Sequence, residues 1–199
     1  MQRHSIGFRP KGRIGLLGGS FDPAHLGHVH ISQEAMRRFA LREVWWLMSP
    51  QNPLKQRAAT SLADRMAQSA ALLRDPRIKV LDYETQIGSR FTHDTLSQVT
   101  QDFPDVDFVW LMGADNLAQF HRWQRWQDIM HIMPLGILAR PLHRMSGLRS
   151  KAARVYHSAR IAQGDSHRLS HYAAPAWCFV NIPMSPLSST QVRLGQGGV

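Results

Sequence analysis

Short apolar runs alternate along the chain with longer stretches in which apolar residues return every three or four positions. Six runs read as strands: Ile14 to Leu17, Val44 to Met48, Ile78 to Leu81, Phe108 to Met112, Leu135 to Ala139 and Trp177 to Ile182. The second is apolar throughout, the mark of a strand covered on both faces. Helical spacing occupies Val29 to Ala40, Ser61 to Leu73, Asp94 to Phe103 and Ala114 to Met133, and a terminal helix can start at Ser189. Ser61 followed by Asp64 resembles a capping box with a shortened acid, and Pro76 and Pro104 limit the helices before them. Repeated strand–helix–strand units predict an α/β, Rossmann-like, doubly wound fold. Its sheet would be mainly parallel, with helices on both faces. Ligands of such sheets collect beyond the strand carboxyl ends, where the strand order reverses.

Length sets the scale of that fold. At 199 residues, 43% of them hydrophobic, the chain suits a single domain over 1–199. Residues 1–12 read as a flexible N-terminal extension. Residues 141–172 are rich in Arg and His with little aliphatic periodicity; they read as a solvated, partly mobile helix and loop or as a basic flap over an anionic ligand. The net charge of +10 favours acidic partners without naming them. One cysteine, Cys178, excludes an intrachain disulfide and suits a reducing compartment. No apolar run approaches the ~18 residues of a membrane span, and no signal peptide is recognisable, so the expected setting is the cytoplasm, with no membrane partner.

The most distinctive segment is Gly18-Gly19-Ser20-Phe21-Asp22-Pro23-Ala24-His25-Leu26-Gly27-His28. A strand enters two glycines, whose missing Cβ atoms let backbone amides approach a phosphate; a helix follows, expected near His28, with unpaired N–H groups and a positive dipole end. His25 and His28, three apart, can face one site and donate to phosphate oxygens, more strongly when protonated. With His30 they could also suggest a metal cluster. No HExxH pattern accompanies them, and the local carboxylate, Asp22, sits in the turn; no protein-held metal is expected. Near the other end, Leu187-Ser188-Ser189-Thr190-Gln191-Val192-Arg193 opens a helix. The Ser189 and Thr190 hydroxyls there can cap the helix or seat an anion, and Arg193 follows one turn later.

These two segments resemble the signatures of the HIGH-type nucleotidyltransferases, and the Gly-Gly-Ser-Phe-Asp-Pro form is most similar to bacterial nicotinate mononucleotide adenylyltransferases. The resemblance runs from about Ile14 to Arg193. Three further segments resemble that family's. Ser49-Pro50-Gln51-Asn52-Pro53-Leu54-Lys55 is similar to a Pro-Pro-His-Lys loop, with Leu54 in place of its histidine. Gly88 to Leu96 is similar to Ser-Tyr-Thr-x-Asp-Thr-Leu, with Phe91 for tyrosine. Met112 to Trp126 and Arg140-Pro141 match the remaining blocks.

The resemblance implies catalytic roles for His25, His28, Lys55 and Arg193. It implies ATP or phosphate contacts for Gly18, Gly19, Ser20, Phe21, Gly113, Asp115, Arg140, Ser189 and Thr190. It implies nicotinate-nucleotide contacts for Thr92 and for Trp123, whose ring would stack on the pyridine. From the residues alone, Lys55 is equally a solvated lysine, Thr92 a plain N-cap, and Trp123 or Trp126 a core anchor. The implied reaction joins ATP to nicotinate mononucleotide, with Mg²⁺ carried by ATP, by positioning and electrostatics without a covalent intermediate. Transfer to phosphopantetheine, cytidylyl transfer, or a non-catalytic nucleic-acid-binding protein are the alternatives. Nucleic acid is not expected as a partner, since neither RNP-like aromatics nor zinc-finger spacing appears. A homo-oligomer is compatible with the sequence, and the acid-versus-amide preference stays open.

Overall fold

A computed structural model describes residues 6–7, 9–50, 60–140 and 144–183. Seven parallel strands form one sheet: β1 (Gly12–Gly19), β2 (Glu43–Met48), β3 (Ile78–Leu81), β4 (Val106–Gly113), β5 (Leu135–Ala139), β6 (Arg160–Ile161) and β7 (Trp177–Asn181). Their spatial order is β3-β2-β1-β4-β5-β7-β6. The chain winds outward from β1 to β3, then restarts on the other side of β1 with β4. The order therefore reverses between β1 and β4, which pair from Gly12↔Val106 to Leu17↔Leu111. The glycines ending these strands, Gly18, Gly19 and Gly113, open on the crevice where such sheets bind ligands.

Among the described residues eight α-helices connect the strands: α1 (Leu26–Arg38), α2 (Leu62–Leu72), α3 (Tyr83–Gln86), α4 (Thr92–Asp102), α5 (Ala114–Gln119), α6 (Trp126–Ile132), α7 (Arg144–Leu148) and α8 (Lys151–Val155). Alternate strand residues feed two cores. Ile14, Leu16, Trp45, Leu47, Phe108, Trp110 and Met112 pack with Leu96, Val99, Leu117, Ile129 and Ala152 from the helices on one face. Val44, Trp46, Met48, Val109 and Leu111 pack with Ala35 and Met36 of α1 and with Met66 of α2 on the other. Trp45 and Trp46 are both wholly buried, on opposite faces of β2. The expected doubly wound architecture is thus observed. None of the described helices is long and apolar enough to cross a membrane.

Three observations add to the expectations. A seventh strand, β6, has only two residues, too few to show a period. The basic segment, expected as helix and loop, forms α7, α8, β6 and a 3₁₀ stretch over Gln163–His171 from residue 144 onward. Its packing uses small residues: Ala152 and Ala153 are buried, and a Cβ on Gly147 would meet the Ala114 carbonyl at 3.0 Å. Close approach of that kind needs no aliphatic stripe, so no apolar period marks it. At the other terminus Ile6, within the expected flexible extension, packs on the first core.

Candidate active site

Helix α1 starts three residues before Val29, where its apolar pattern begins, because two histidines build its capping box. His25 is the N-cap, in extended backbone, and its Nδ1 accepts from the Gly27 N–H at 3.1 Å. His28, at the third helical position, accepts the His25 N–H on its own Nδ1 at 3.2 Å. The rings lie 3.9 Å apart, centroid to centroid. An Nδ1 that accepts is unprotonated, so each neutral imidazole carries its hydrogen on Nε2. The backbone fixes the tautomer and leaves a donor nitrogen on both rings.

His28 is no resident cation. Burial, then the charges of His25 and Arg140, lower its pKa to about 3, so near neutral pH it donates as the uncharged ring. Phe21 packs on it, 4.9 Å between centroids, and stacks on Trp46 at 4.8 Å. Phe21 holds φ at 44°, a left-handed conformation that a bulky residue adopts only at some cost. Arg140, one residue past β5, lies 3.9 Å from the carboxylate of Asp115 in α5. That carboxylate folds back over Gly113, where a Cβ would collide with Asp115 Oδ1.

Beside this cluster a pocket of about 310 Å³ opens between the ends of β1 and β4. Gly18, Gly19 and Ser20 form one wall and Ser49 another, with Glu84, Arg90, Thr92, Trp110, Asn116 and Trp123 around the rest. Gly18 is required by Trp110, because a Cβ there would come within 2.5 Å of the indole. Trp123 and Trp126 both pack against the first core, so each anchors as well. Trp123 also meets the edge of Phe120 and shows the pocket its remaining surface. Thr92 is the first helical residue of α4. Phe91 is the N-cap and its side chain makes no capping bond, so the N-cap alternative for Thr92 is set aside.

Two residues without an expected role stand out. Glu84 is 6% exposed, and burial pushes its carboxyl up to about 7, against a hydrogen bond from Ser49 that pulls it down. It is held there by its neighbour Tyr83, whose hydroxyl donates to Asp102 at the end of α4 at 2.5 Å. The other is Arg65 of α2, 2% exposed. Its guanidinium donates to the carbonyls of Thr60, Ser20, Ser49 and Pro50 at 2.5–3.0 Å, tying together the loops that follow β1 and β2. Among the described residues no carboxylate pairs with it. One clue was available: Arg65 falls on the buried stripe with Leu62, Met66 and Ser69. Glu84 had none, being a lone acid in a helix of four residues.

Lys55, Ser189, Thr190 and Arg193 lie outside the described residues. The remaining expected site residues fall into two adjoining groups: His25, His28, Phe21, Gly113, Asp115 and Arg140 in one, and Gly18, Gly19, Ser20, Thr92 and Trp123 in the other.

The raised Glu84 pKa sets a pH dependence. An unfolded glutamate loses its proton near 4.5, the folded one near 7, so between these values the folded state binds more protons and its stability falls as pH rises. Glu84→Gln should therefore gain on the parent by on the order of 2 kcal/mol between pH 4 and pH 8. Urea unfolding of both proteins at the two pH values checks this; a constant difference would refute it.

The cytidylyltransferase-like family model matches residues 16–195, nearly the whole chain. Two curated relatives, from Cereibacter sphaeroides and Roseobacter denitrificans, bear the name "Probable nicotinate-nucleotide adenylyltransferase". The first is 56% identical over 90% of this chain and 95% of its own length; the second is 54% identical over 96% and 98%. The chain belongs to the cytidylyltransferase-like family and, within it, to the nicotinate-nucleotide adenylyltransferases. Solved structures agree on the fold. A Plasmodium falciparum nicotinic acid mononucleotide adenylyltransferase complexed with NaAD superposes with a TM-score of 0.67 at 16% identity, covering 92% of this chain and 83% of that one. A Vibrio parahaemolyticus putative nicotinate-nucleotide adenylyltransferase gives 0.56 at 17% identity, over 67% and 77%. In this adenylyltransferase-family chain, the polar motifs therefore sit on the sheet end expected for nucleotide binding.

Proposed function

We propose that the protein transfers the adenylyl group of ATP to nicotinate mononucleotide, giving nicotinate adenine dinucleotide and pyrophosphate. The observation that carries this reading is the adjacency of two unlike half-sites at one switch point. One half offers imidazole donors and Arg140, suited to phosphates. The other is a pocket with an indole wall and an uncapped helix start, suited to a flat anionic ring. An oxygen of the mononucleotide phosphate attacks the α-phosphorus; the bond from that phosphorus to the α,β-bridging oxygen breaks, and pyrophosphate leaves with the electron pair.

The attacking oxygen is already anionic near neutral pH, so no general base is needed. The residues' task is to bring two anions together. At ~4 Å one pair of like charges repels by about 1 kcal/mol in water and several times more in a drier site. The Nε2 donors of His25 and His28, the amides of Gly18 to Ser20 and the Arg140 charge offset that repulsion as charge moves to the leaving group. The chain leaves the described region at Pro183, whose carbonyl bonds His30 of α1 at 3.1 Å. Ser189, Thr190, Arg193 and Lys55, which lie outside the described residues, would add hydroxyl donors and positive charge toward the same phosphates. Among the described residues no three His, Cys, Asp or Glu side chains gather as a metal-ligand set. Mg²⁺ carried with ATP would be held chiefly by phosphate oxygens and water, with Asp115 and Asp22 as carboxylates on offer, and would offset the phosphate charge.

Pyrophosphate release with ATP tests the reading. Nicotinate mononucleotide should support turnover, and phosphopantetheine should not. Trp123→Ala should raise KM for the pyridine nucleotide about tenfold while leaving KM for ATP near the parent value, the loss of one aromatic contact and its buried area. Turnover with phosphopantetheine alone would replace this assignment.

A further inference from the structure

The pocket beside Gly18 and Trp123 contains one cation with nothing to hold. Arg90 lines it, is exposed, and among the described residues takes part in no hydrogen bond or ion pair. Its backbone is nonetheless fixed. Gly88 turns the chain after α3 with φ at +67°, and the Ser89 hydroxyl accepts the Phe91 N–H at 3.1 Å, bridging over Arg90 to the start of α4. The side chain thus has a firm base and an uncommitted head, two residues from Thr92.

The rest of the lining explains why a cation matters there. Glu84 is the pocket's one carboxyl, and Arg90 its one basic side chain. The Glu84 carboxyl is buried and bonded to Ser49, and it is partly ionised near neutral pH, so it disfavours an entering carboxylate. A helix start and an indole face accept an acid or a neutral amide of the same ring. Preference for the acid requires a charge that outweighs Glu84. A guanidinium offers it with paired donors that match both oxygens of a carboxylate, whereas a carboxamide presents one accepting oxygen and no charge.

Resting on the functional reading above, we propose that Arg90 is the specificity-determining residue that selects the pyridine carboxylate over the carboxamide, by pairing with the acid at the mouth of the pocket beside Thr92.

Kinetics with both mononucleotides test the assignment. Arg90→Gln should lower kcat/KM for nicotinate mononucleotide 10- to 100-fold, mainly through KM, and change kcat/KM for nicotinamide mononucleotide less than threefold. The acid-to-amide ratio then falls at least tenfold. Arg90→Lys should recover part of that ratio, and KM for ATP should stay near the parent value in both. Equal losses with the two acceptors would mean that Arg90 serves their common phosphate, and would overturn the assignment; so would an unchanged ratio. Absence of turnover with either mononucleotide in the parent would overturn the functional reading itself and Arg90's role with it. Because the side chain is exposed and unpartnered, the variants should unfold at the parent's denaturant midpoint, which separates these outcomes from misfolding.

Discussion

Replacing Arg65 with methionine should cost both stability and rate. The substitution leaves the carbonyls of Ser20, Ser49, Pro50 and Thr60 without their donor in a buried setting. Each unsatisfied group costs ~1–3 kcal/mol, and partial rehydration at the loop surface brings the expected total to about 3–5 kcal/mol. The carbonyls of Ser20 and Ser49 belong to loop residues that line the pocket, so relaxation there moves the glycine wall relative to the histidines. A displacement of about 1 Å at such a distance from the chemistry lowers kcat on the order of 100-fold. Arg65→Lys keeps the charge and loses the planar fork, so it should recover only part of either quantity. Guanidinium unfolding and pyrophosphate release measure the two effects; parent-like values for the methionine variant would dismiss the clamp.

His28→Ala has the second large effect, with a pH signature of its own. Loss of a donor aimed at charge that develops during transfer should lower kcat about 10²- to 10³-fold, with a smaller change in KM for ATP. The sign of the stability change depends on pH. Unfolded histidine takes up a proton below about 6.5, whereas the folded ring resists until about 3, so the parent loses stability as pH falls across that interval. The variant no longer carries this penalty. It pays about 1 kcal/mol at every pH for the His25 N–H that it leaves unbonded at the helix start. Denaturation at pH 5 and pH 8 should therefore show a smaller gap between the two pH values in the variant than in the parent. An unaltered gap would show that His28 titrates near its ordinary value.

The architecture was open to reading because burial on both sides of a parallel sheet writes itself as uninterrupted apolar runs. Val44 to Met48 and Leu135 to Ala139 are plain on the page for that reason. The glycine-rich entry to α1 was equally legible, since Gly18 and Gly19 have no ordinary reason to end a strand together. What escaped were contacts made by single residues across long separations. Arg65 binds carbonyls 15 to 45 residues away, and no local spacing encodes that. Glu84 gains its character from burial in the folded molecule, with Ser49 of the loop after β2 as its hydrogen-bond partner, and neither is encoded locally. The helices of the basic segment escaped for a different reason: they are five residues each and bury Gly147, Ala152 and Ala153, while Met145 and Val155 face outward, so no apolar stripe forms.

The histidine start of α1 carries a lesson for tolerance of change. Each ring spends its Nδ1 on chain geometry and carries its hydrogen on Nε2, so positions 25 and 28 answer to two demands at once. Serine or aspartate would satisfy the backbone and bring no ring N–H to a phosphate; lysine would greet the phosphate and leave the backbone unmet. An imidazole meets both with a small rigid frame, which makes this corner of the molecule unforgiving of substitutions that look mild by size or polarity.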